Sequence, residues 1–160
     1  MPSNFSIVPE IGDIALDFSL QDQSGNWISL KDFLGSPVVL YFYPKDSTPG
    51  CTTEAIEFQD ALPRFEEAGV VVFGISPDDA QSHCKFIGKL SLGFSLLCDT
   101  ENDVAKKYGV WVEKNMFGEK YWGIQRSTFL IDKAGKFAFV WPKVKPQGHA
   151  IEVLDKACSL

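Results

Sequence analysis

The sequence has little that would support a metal site, a disulfide framework or dithiol chemistry. Only two histidines and four cysteines occur among 160 residues, and no two cysteines are separated by just two residues. The clustered ligands of a zinc site and the C-x-x-C motif of dithiol oxidoreductases are therefore absent. A chain of this length does not need disulfides for stability, so we expect reduced cysteines, a cytoplasmic location, no metal and no cofactor.

Basic residues are also scarce. Fifteen Lys and Arg residues are outnumbered by 21 Asp and Glu residues, which gives a net charge of −6. Because no basic stripe is present, we expect neither nucleic acid nor a membrane as a partner. The longest apolar run, residues 38–43, is far shorter than the ~18 residues that span a bilayer. Residues 1–5 lack the pattern of a secretory signal.

The residues that are present indicate one α/β domain over residues 1–160. Apolar residues make up 45% of the chain, and its length is close to the ~150 residues of a typical domain. Residues 38–43 and 70–75 are continuous apolar runs, as in strands buried on both faces. Between them, residues 51–68 carry apolar side chains at the spacings of a helix. This order predicts a right-handed βαβ unit.

Several shorter elements complete the predicted fold. We predict helices at 79–90, 102–108 and 148–157, a strand at 95–98, and hairpins from 127–131 with 137–141 and from 15–20 with 26–29. Ser76 or Asp78 is the predicted cap of the helix at 79–90. The sum is a thioredoxin-like fold, with a central mixed sheet flanked by helices and an extra N-terminal β-hairpin.

The candidate site is the Pro- and Gly-containing loop between Tyr43 and Cys51. Ligand sites in open α/β sheets lie at the carboxyl ends of strands, where this loop begins. Helix N-termini and nearby cations lower the pKa of cysteines from about 8.5 to roughly 3.5–7.5, which favours the reactive thiolate. Cys51 precedes Ala55 and Phe58 by four and seven residues, so its sulfur should face inward. The alternative is a small buried hydrophobic cysteine at a helix start.

The pattern Pro44-x-x-x-Thr48-x-x-Cys51 resembles the active-site motif of peroxiredoxins. Its Thr-Pro-Gly-Cys-Thr form is similar to the bacterioferritin comigratory protein (PrxQ-like) branch, and the resemblance continues through residues 114–118 and 126–131. It covers residues 12–157. It implies a thiol-dependent peroxidase that reduces hydrogen peroxide and organic hydroperoxides through a cysteine sulfenic acid, with thioredoxin or a similar thiol donor as reductant.

The resemblance also implies a role for each residue of the motif. Cys51 is the nucleophile, Thr48 offers its hydroxyl to the thiolate and the peroxide, Pro44 shields the site, and Arg126 sits beside the sulfur. Without the motif, Arg126 would be interpreted as a surface residue on an edge strand and Thr48 as a turn or cap residue. Glu54 should face the loop backbone or the helix start in a supporting role.

The sulfenic acid must be reduced, because further oxidation is irreversible. Part of the branch carries a resolving thiol five residues after the nucleophile, and that position is Ile56 here. Other members carry it in the helix predicted at 79–90, which makes Cys84 the candidate. Alignment through residues 82–83, however, would place that thiol near Ile87.

The remaining cysteines leave alternatives open. Cys98 is interpreted as a core residue and Cys158 as an exposed tail residue, and reduction by external thiols alone is also possible. A Cys51–Cys84 disulfide needs Cα atoms about 4.4–6.8 Å apart, so we predict that residues 51–59 unwind when it forms. Pro63 lacks the N–H that would bond Gln59 and should kink or weaken the helix.

A second class of function would depend on the same cysteine, Cys51. A redox-sensing binding protein, or a holdase, could be switched by oxidation of Cys51, and the sequence does not separate this from a peroxidase. We expect a monomer, with a weak dimer as the alternative.

Overall fold

The computed structural model describes residues 9–160, so residues 1–5, on which the predicted lack of a secretory signal depends, lie outside the described part. The strands and helices alternate along most of the chain. In order they are β1 (Ser19–Asp22), β2 (Trp27–Ser29), a 3₁₀ turn (Leu30–Phe33), β3 (Val38–Phe42), α1 (Pro49–Glu67), β4 (Val71–Ser76), α2 (Ala80–Leu90), β5 (Ser95–Cys98), α3 (Asp103–Lys107), β6 (Trp111–Met116), β7 (Glu119–Ile124), β8 (Ser127–Ile131), β9 (Phe137–Trp141) and α4 (His149–Cys158).

Seven strands form one mixed sheet in the order β2-β1-β5-β4-β3-β8-β9. β3 pairs in parallel with β4, and β4 pairs in parallel with β5. β8 pairs with β3, and β1 pairs with β5, both in antiparallel orientation. The predicted βαβ unit is β3-α1-β4, and the predicted N-terminal hairpin is β1-β2. The central mixed sheet with flanking helices is therefore confirmed.

The two faces of the sheet cover separate cores. α1, α2 and α4 contribute Phe58, Phe86 and Val153 to one core, which also holds Cys51. α3 and the N-terminal segment contribute to the other. Every residue of β3 is buried because helices and loops cover both faces of this central strand.

The structure differs from the predictions in three places. The cap of α2 is Asp79, whose carboxylate accepts a hydrogen bond from the Ser82 N–H at 2.9 Å, rather than Ser76 or Asp78. The first strand of the N-terminal hairpin is Ser19–Asp22 and not residues 15–20, because the pairing with β2 begins only at Ser19. α1 runs without a break across the exposed Pro63, and the weakening expected there stays a prediction. The third difference is the β6-β7 hairpin, which the sequence analysis did not predict.

The β6-β7 hairpin is polar and exposed, so no hydrophobic pattern in the sequence indicates its strands. Most of its residues are exposed or half-buried, so no apolar alternation marks the strands. Its turn is formed by Phe117 and Gly118, both with positive φ, as a two-residue hairpin turn requires. Among the helices of residues 9–160, none has the length and hydrophobicity needed to cross a bilayer.

Candidate active site

The predicted loop places Cys51 in the first turn of α1. Pro49 begins the helix, where its missing N–H costs nothing and its fixed φ is already helical. Cys51 is 1% exposed and belongs to the core beneath α1, as the inward spacing predicted. Backbone N–H groups in the first helical turn have no acceptor within the helix, so they favour an anionic sulfur.

Arg126 links the sulfur to a buried carboxylate. It lies just before β8, and its Nη2 donates to Cys51 Sγ at 3.3 Å while its Nη1 donates to Glu54 Oε1 at 2.6 Å. Burial works against the charge of Arg126, but Glu54 and Cys51 outweigh it and raise the pKa of the guanidinium above its usual value. A permanent cation therefore faces the sulfur.

The sequence predicts that Glu54 faces the loop backbone or the helix start. In the structure it instead lies beneath Arg126. The reason is its position one turn after Cys51, which directs both side chains to the same inward face. Burial raises the pKa of Glu54 to about 7, although Arg126 opposes the shift. Glu54 Oε2 has no hydrogen-bond partner among the described residues.

Thr48 and Pro44 lie in the loop that leads into the first turn of α1. Thr48 is the N-cap residue of α1, yet its side chain makes no capping hydrogen bond; its hydroxyl donates to the Lys45 carbonyl at 2.8 Å. With its proton used in this way, the Thr48 oxygen is free to accept a hydrogen bond. Pro44 is half-buried directly after Tyr43.

Gly50 allows Arg126 to approach the helix start. A Cβ at this position would lie 3.1 Å from Arg126 Nη2 and 3.6 Å from Pro146 Cγ. In the sequence Gly50 is recognisable only as part of the motif, because the steric requirement arises from a residue 76 positions away.

A shallow cleft opens beside Arg126. It has a volume of about 430 Å³, and Lys114, Tyr121 and Lys143 are among its lining residues. Burial, together with the nearby Arg126, lowers the pKa of Lys114. A larger cavity, about 730 Å³, lies elsewhere, between the N-terminal segment and α3, and does not include Cys51.

The other three cysteines lie away from the sulfur of Cys51. Cys84 is exposed on α2, and its Sγ donates to the Gln23 carbonyl at 3.1 Å. Cys98 is half-buried rather than fully buried, and burial raises its pKa to about 11. Cys158 is exposed at the last residue of α4, as predicted. All four cysteines are free thiols.

Asp46 and His83 belong to the site's surroundings and were missed by the sequence analysis. Asp46 lies in the loop between Pro44 and Thr48, is buried, and contacts His83 Nδ1 at 2.7 Å. The sequence contained no signal for this pair, because 37 residues separate its members.

Comparison with known proteins places this site in a family. Residues 11–140 match the AhpC/TSA family. A putative peroxiredoxin bcp of Coxiella burnetii is 51% identical over 147 residues, covering 92% of this chain and 97% of that protein. The peroxiredoxin Bcp of Bacillus subtilis is 48% identical and covers 91% of this chain and 93% of its own length.

Solved structures agree with these relatives. A cysteine mutant of Xylella fastidiosa PrxQ has a TM-score of 0.89 and 39% identity, covering 94% of this chain and 96% of that one. The Xanthomonas campestris bacterioferritin comigratory protein, studied for its alkyl peroxide reduction activity, has a TM-score of 0.87 and 39% identity over 95% of this chain and 97% of its own. The resemblance and the thioredoxin-like fold predicted from the sequence are thus confirmed. The chain belongs to the AhpC/TSA family, within its Bcp/PrxQ peroxiredoxins, and is a thiol-dependent peroxidase.

Proposed function

We propose that Cys51 is the peroxidatic nucleophile and that hydrogen peroxide and small organic hydroperoxides are its substrates. The observation that carries this is the Arg126 guanidinium, 3.3 Å from a buried sulfur at a helix N-terminus. A fixed cation and the helix start both stabilise the thiolate, which is the reactive form of cysteine.

The reaction balances with these residues, the peroxide and one proton from solvent. The Cys51 thiolate attacks one oxygen of the peroxide, the O–O bond breaks, and the sulfur becomes a sulfenic acid. The other oxygen leaves as water or an alcohol after it takes up a proton. Arg126 stabilises the negative charge that develops on this leaving oxygen, since its donors are already in place before the reaction.

Thr48 and Pro44 orient the peroxide and protect the sulfur. Because the Thr48 hydroxyl gives its proton to Lys45, its oxygen accepts the O–H of the incoming peroxide. Pro44 covers the loop side of the site and has no N–H of its own to compete for the substrate. Glu54 holds Arg126 in the orientation that faces the sulfur.

A thioredoxin-like thiol donor then completes the cycle, with Cys84 as an internal intermediary. In the described conformation Cys84 bonds to Gln23, which follows β1, whereas Cys51 lies in the first turn of the helix that follows β3. β1 and β3 are separated by β5 and β4, so this offset is three strand spacings, or on the order of 14 Å. Cys84 can therefore reach the sulfenic acid only after the start of α1 unwinds and brings Cys51 towards α2.

The proposed setting is a reducing one, because the cycle consumes thiol electrons. We propose a cytoplasmic monomer, with neither nucleic acid nor membrane as partner, on the basis of the acidic charge and the free thiols.

Replacement of Cys51 by serine tests the proposal. We expect Cys51→Ser to abolish catalytic removal of hydrogen peroxide in the presence of thioredoxin, thioredoxin reductase and NADPH. Cys98→Ser is the matched control, because it removes a half-buried thiol outside the site, and it should keep the wild-type rate.

Two results would contradict the proposal. One is undiminished peroxide removal by Cys51→Ser. The other is wild-type protein that consumes a single equivalent of peroxide and then stops with every thiol donor tried, which is the behaviour of a redox-sensing binding protein.

A further inference from the structure

The Asp46 carboxylate in the catalytic loop is held by three side chains from outside the loop. Tyr43 Oη donates to Oδ1 at 2.6 Å, and Ser82 Oγ and His83 Nδ1 contact Oδ2 at 2.8 and 2.7 Å. Its backbone N–H in turn donates to Asp78 Oδ2 at 2.8 Å. A loop that would otherwise face solvent is thereby fastened to the end of β3 and to the first turn of α2.

The protons of this network define its charge. His83 Nε2 lies 3.0 Å from the Leu97 carbonyl, which only accepts, so Nε2 carries a proton. Nδ1 faces Asp46 Oδ2, which already receives the Ser82 hydroxyl. When Nδ1 also donates, the pair is an imidazolium and a carboxylate, with His83 fully buried and the Asp46 side chain 2% exposed.

The charge of Asp46 agrees with this assignment. Burial works to raise the pKa of Asp46, but the hydrogen bonds from His83 and Tyr43 outweigh it and leave that pKa below its usual value. Three possible metal-ligating atoms lie within 4.8 Å of one another: Oδ2 of Asp46, Oδ2 of Asp78 and Nδ1 of His83. Each of these atoms already takes part in a hydrogen bond within the protein. The cluster is therefore explained as an internal anchor.

The next residue shows what the anchor holds in place. Ser47 has a φ of +64°, a left-handed conformation that is unfavourable for a residue with a Cβ. Such a conformation persists only where the surroundings impose it. Ser47 separates Asp46 from Thr48, so the same backbone turn determines where the Thr48 hydroxyl and the first turn of α1 lie.

We propose that His83 and Asp46 are positioning residues for the peroxidase reaction: their buried pair holds the catalytic loop in the conformation in which Thr48 receives the peroxide beside Cys51. This deepens the proposed function and rests on the assignment of Cys51 as nucleophile. The pair acts on the loop and not on the thiolate, because neither residue contacts the sulfur and Arg126 approaches it from β8.

The two histidines offer a matched pair of variants. His83→Leu removes the anchor, whereas His149→Leu removes the other buried imidazole, which bonds Thr128 and makes no hydrogen bond to the loop. Two rates are measured for each folded variant: the second-order rate constant of Cys51 with hydrogen peroxide by stopped-flow, and alkylation of Cys51 by iodoacetamide across pH.

We expect His83→Leu to lower the peroxide rate constant by about ten-fold or more, as small displacements of reacting groups do. The pH midpoint of alkylation should stay within about 0.3 units of wild type, since the thiolate keeps its stabilising groups. His149→Leu should change neither. Asp46→Asn keeps the shape of the anchor and should reproduce the effect of His83→Leu. If His83→Leu does not fold, the rate constant of Asp46→Asn tests the proposal.

A peroxide rate constant within about two-fold of wild type in folded Asp46→Asn would overturn the proposal, because that change converts to under about 0.5 kcal/mol. A shift of the alkylation midpoint in step with the rate would overturn it too, since the pair would then act on the thiolate. If the wild-type reaction itself were independent of Cys51, the proposed function would fail, which is a separate outcome.

Discussion

At Arg126 one side chain donates to two acceptors at once. Its two terminal nitrogens donate separately to Cys51 Sγ and to Glu54 Oε1. The planar guanidinium can do this because its donors form a fixed fork, whereas a lysine ammonium is a single point charge. The residue type at this position therefore matters beyond its positive charge.

Replacement of Arg126 by lysine should slow the reaction while keeping the charge. We expect Arg126→Lys to lower the second-order rate constant with hydrogen peroxide by about 10²-fold, the size of effect seen when a preorganised donor is removed. Stopped-flow tryptophan fluorescence measures it. Arg64→Lys, at the only other arginine and an exposed one, is the control and should react like wild type; equal rates for both variants would contradict the role of Arg126.

Gly50 should tolerate no side chain for a reason that is steric and not conformational. The new methyl group of Gly50→Ala would lie 3.1 Å from Arg126 Nη2 and push it from the sulfur. We expect the peroxide rate constant to fall about ten-fold.

Gly88→Ala provides the comparison for Gly50→Ala. Gly88 is also helical but has open space around it, so alanine should leave the rate unchanged and raise the melting temperature slightly. A Gly50→Ala variant as fast as Gly88→Ala would show that Arg126 accommodates the methyl group without leaving the sulfur.

At the scale of elements, α1 is the helix that has to move if Cys84 resolves the sulfenic acid. Gln59 Oε1 accepts the Gly93 N–H at 2.6 Å, which fastens α1 to the segment before β5. The two turns before this contact hold Cys51, and α1 as a whole packs on α4 and β4. Unwinding of residues 51–59 therefore also requires the buried Phe58 to leave its contacts with Tyr41 and His149.

Oxidation with one equivalent of peroxide should produce a Cys51–Cys84 disulfide and faster amide exchange in residues 51–59. Peptide mass mapping identifies the link, and hydrogen exchange of the oxidised protein measures the unwinding. Cys84→Ser should lose the link, whereas Cys158→Ser should keep it. A stable sulfenic acid in wild type and Cys84→Ser alike would indicate reduction by external thiols, and an oxidised form with residues 51–59 still helical would refute the unwinding.

The elements that the sequence predicted well are those whose patterns are local. Strands 95–98, 127–131 and 137–141 were placed to the residue, because each is an apolar run bounded by polar residues or a turn. The β6-β7 hairpin was not predicted, because neither strand has a buried face that would require apolar and polar residues to alternate. The cap of α2 was displaced by one residue because Ser76, Asp78 and Asp79 are all competent N-caps and only geometry selects among them.

At the scale of the molecule, α4 covers one of the two cores, and His149 in its first turn is buried there. The imidazole is buried against Phe58 and Trp141, and its Nε2 lies 2.7 Å from Thr128 Oγ1 on β8. Burial, together with Arg126, lowers the pKa of His149 to about 4. Glu152, 3.9 Å from Nδ1, opposes this only weakly because it is largely exposed.

Acid should therefore destabilise the protein through this group. The folded-state pKa of His149 is depressed, so its neutral form contributes stability that is present above the unfolded value near 6.5 and is lost as pH falls through about 4. We expect wild type to lose about 3 kcal/mol of unfolding free energy relative to His149→Leu across this window. Urea denaturation at several pH values measures it, with pH 7.5 to 8.5 as the control range where the difference should be constant; parallel curves down to pH 4 would contradict the prediction.

The sequence by itself determined the βαβ unit, the inward-facing Cys51 and the motif that led to its family. All of these depend on residues near one another in the chain, where spacing alone decides which side chains share a face. Only the tertiary structure decided what surrounds the sulfur. Arg126 reaches Cys51 because β8 pairs with β3, and His83 reaches Asp46 because α2 covers β5, so both contacts depend on strand order and not on spacing.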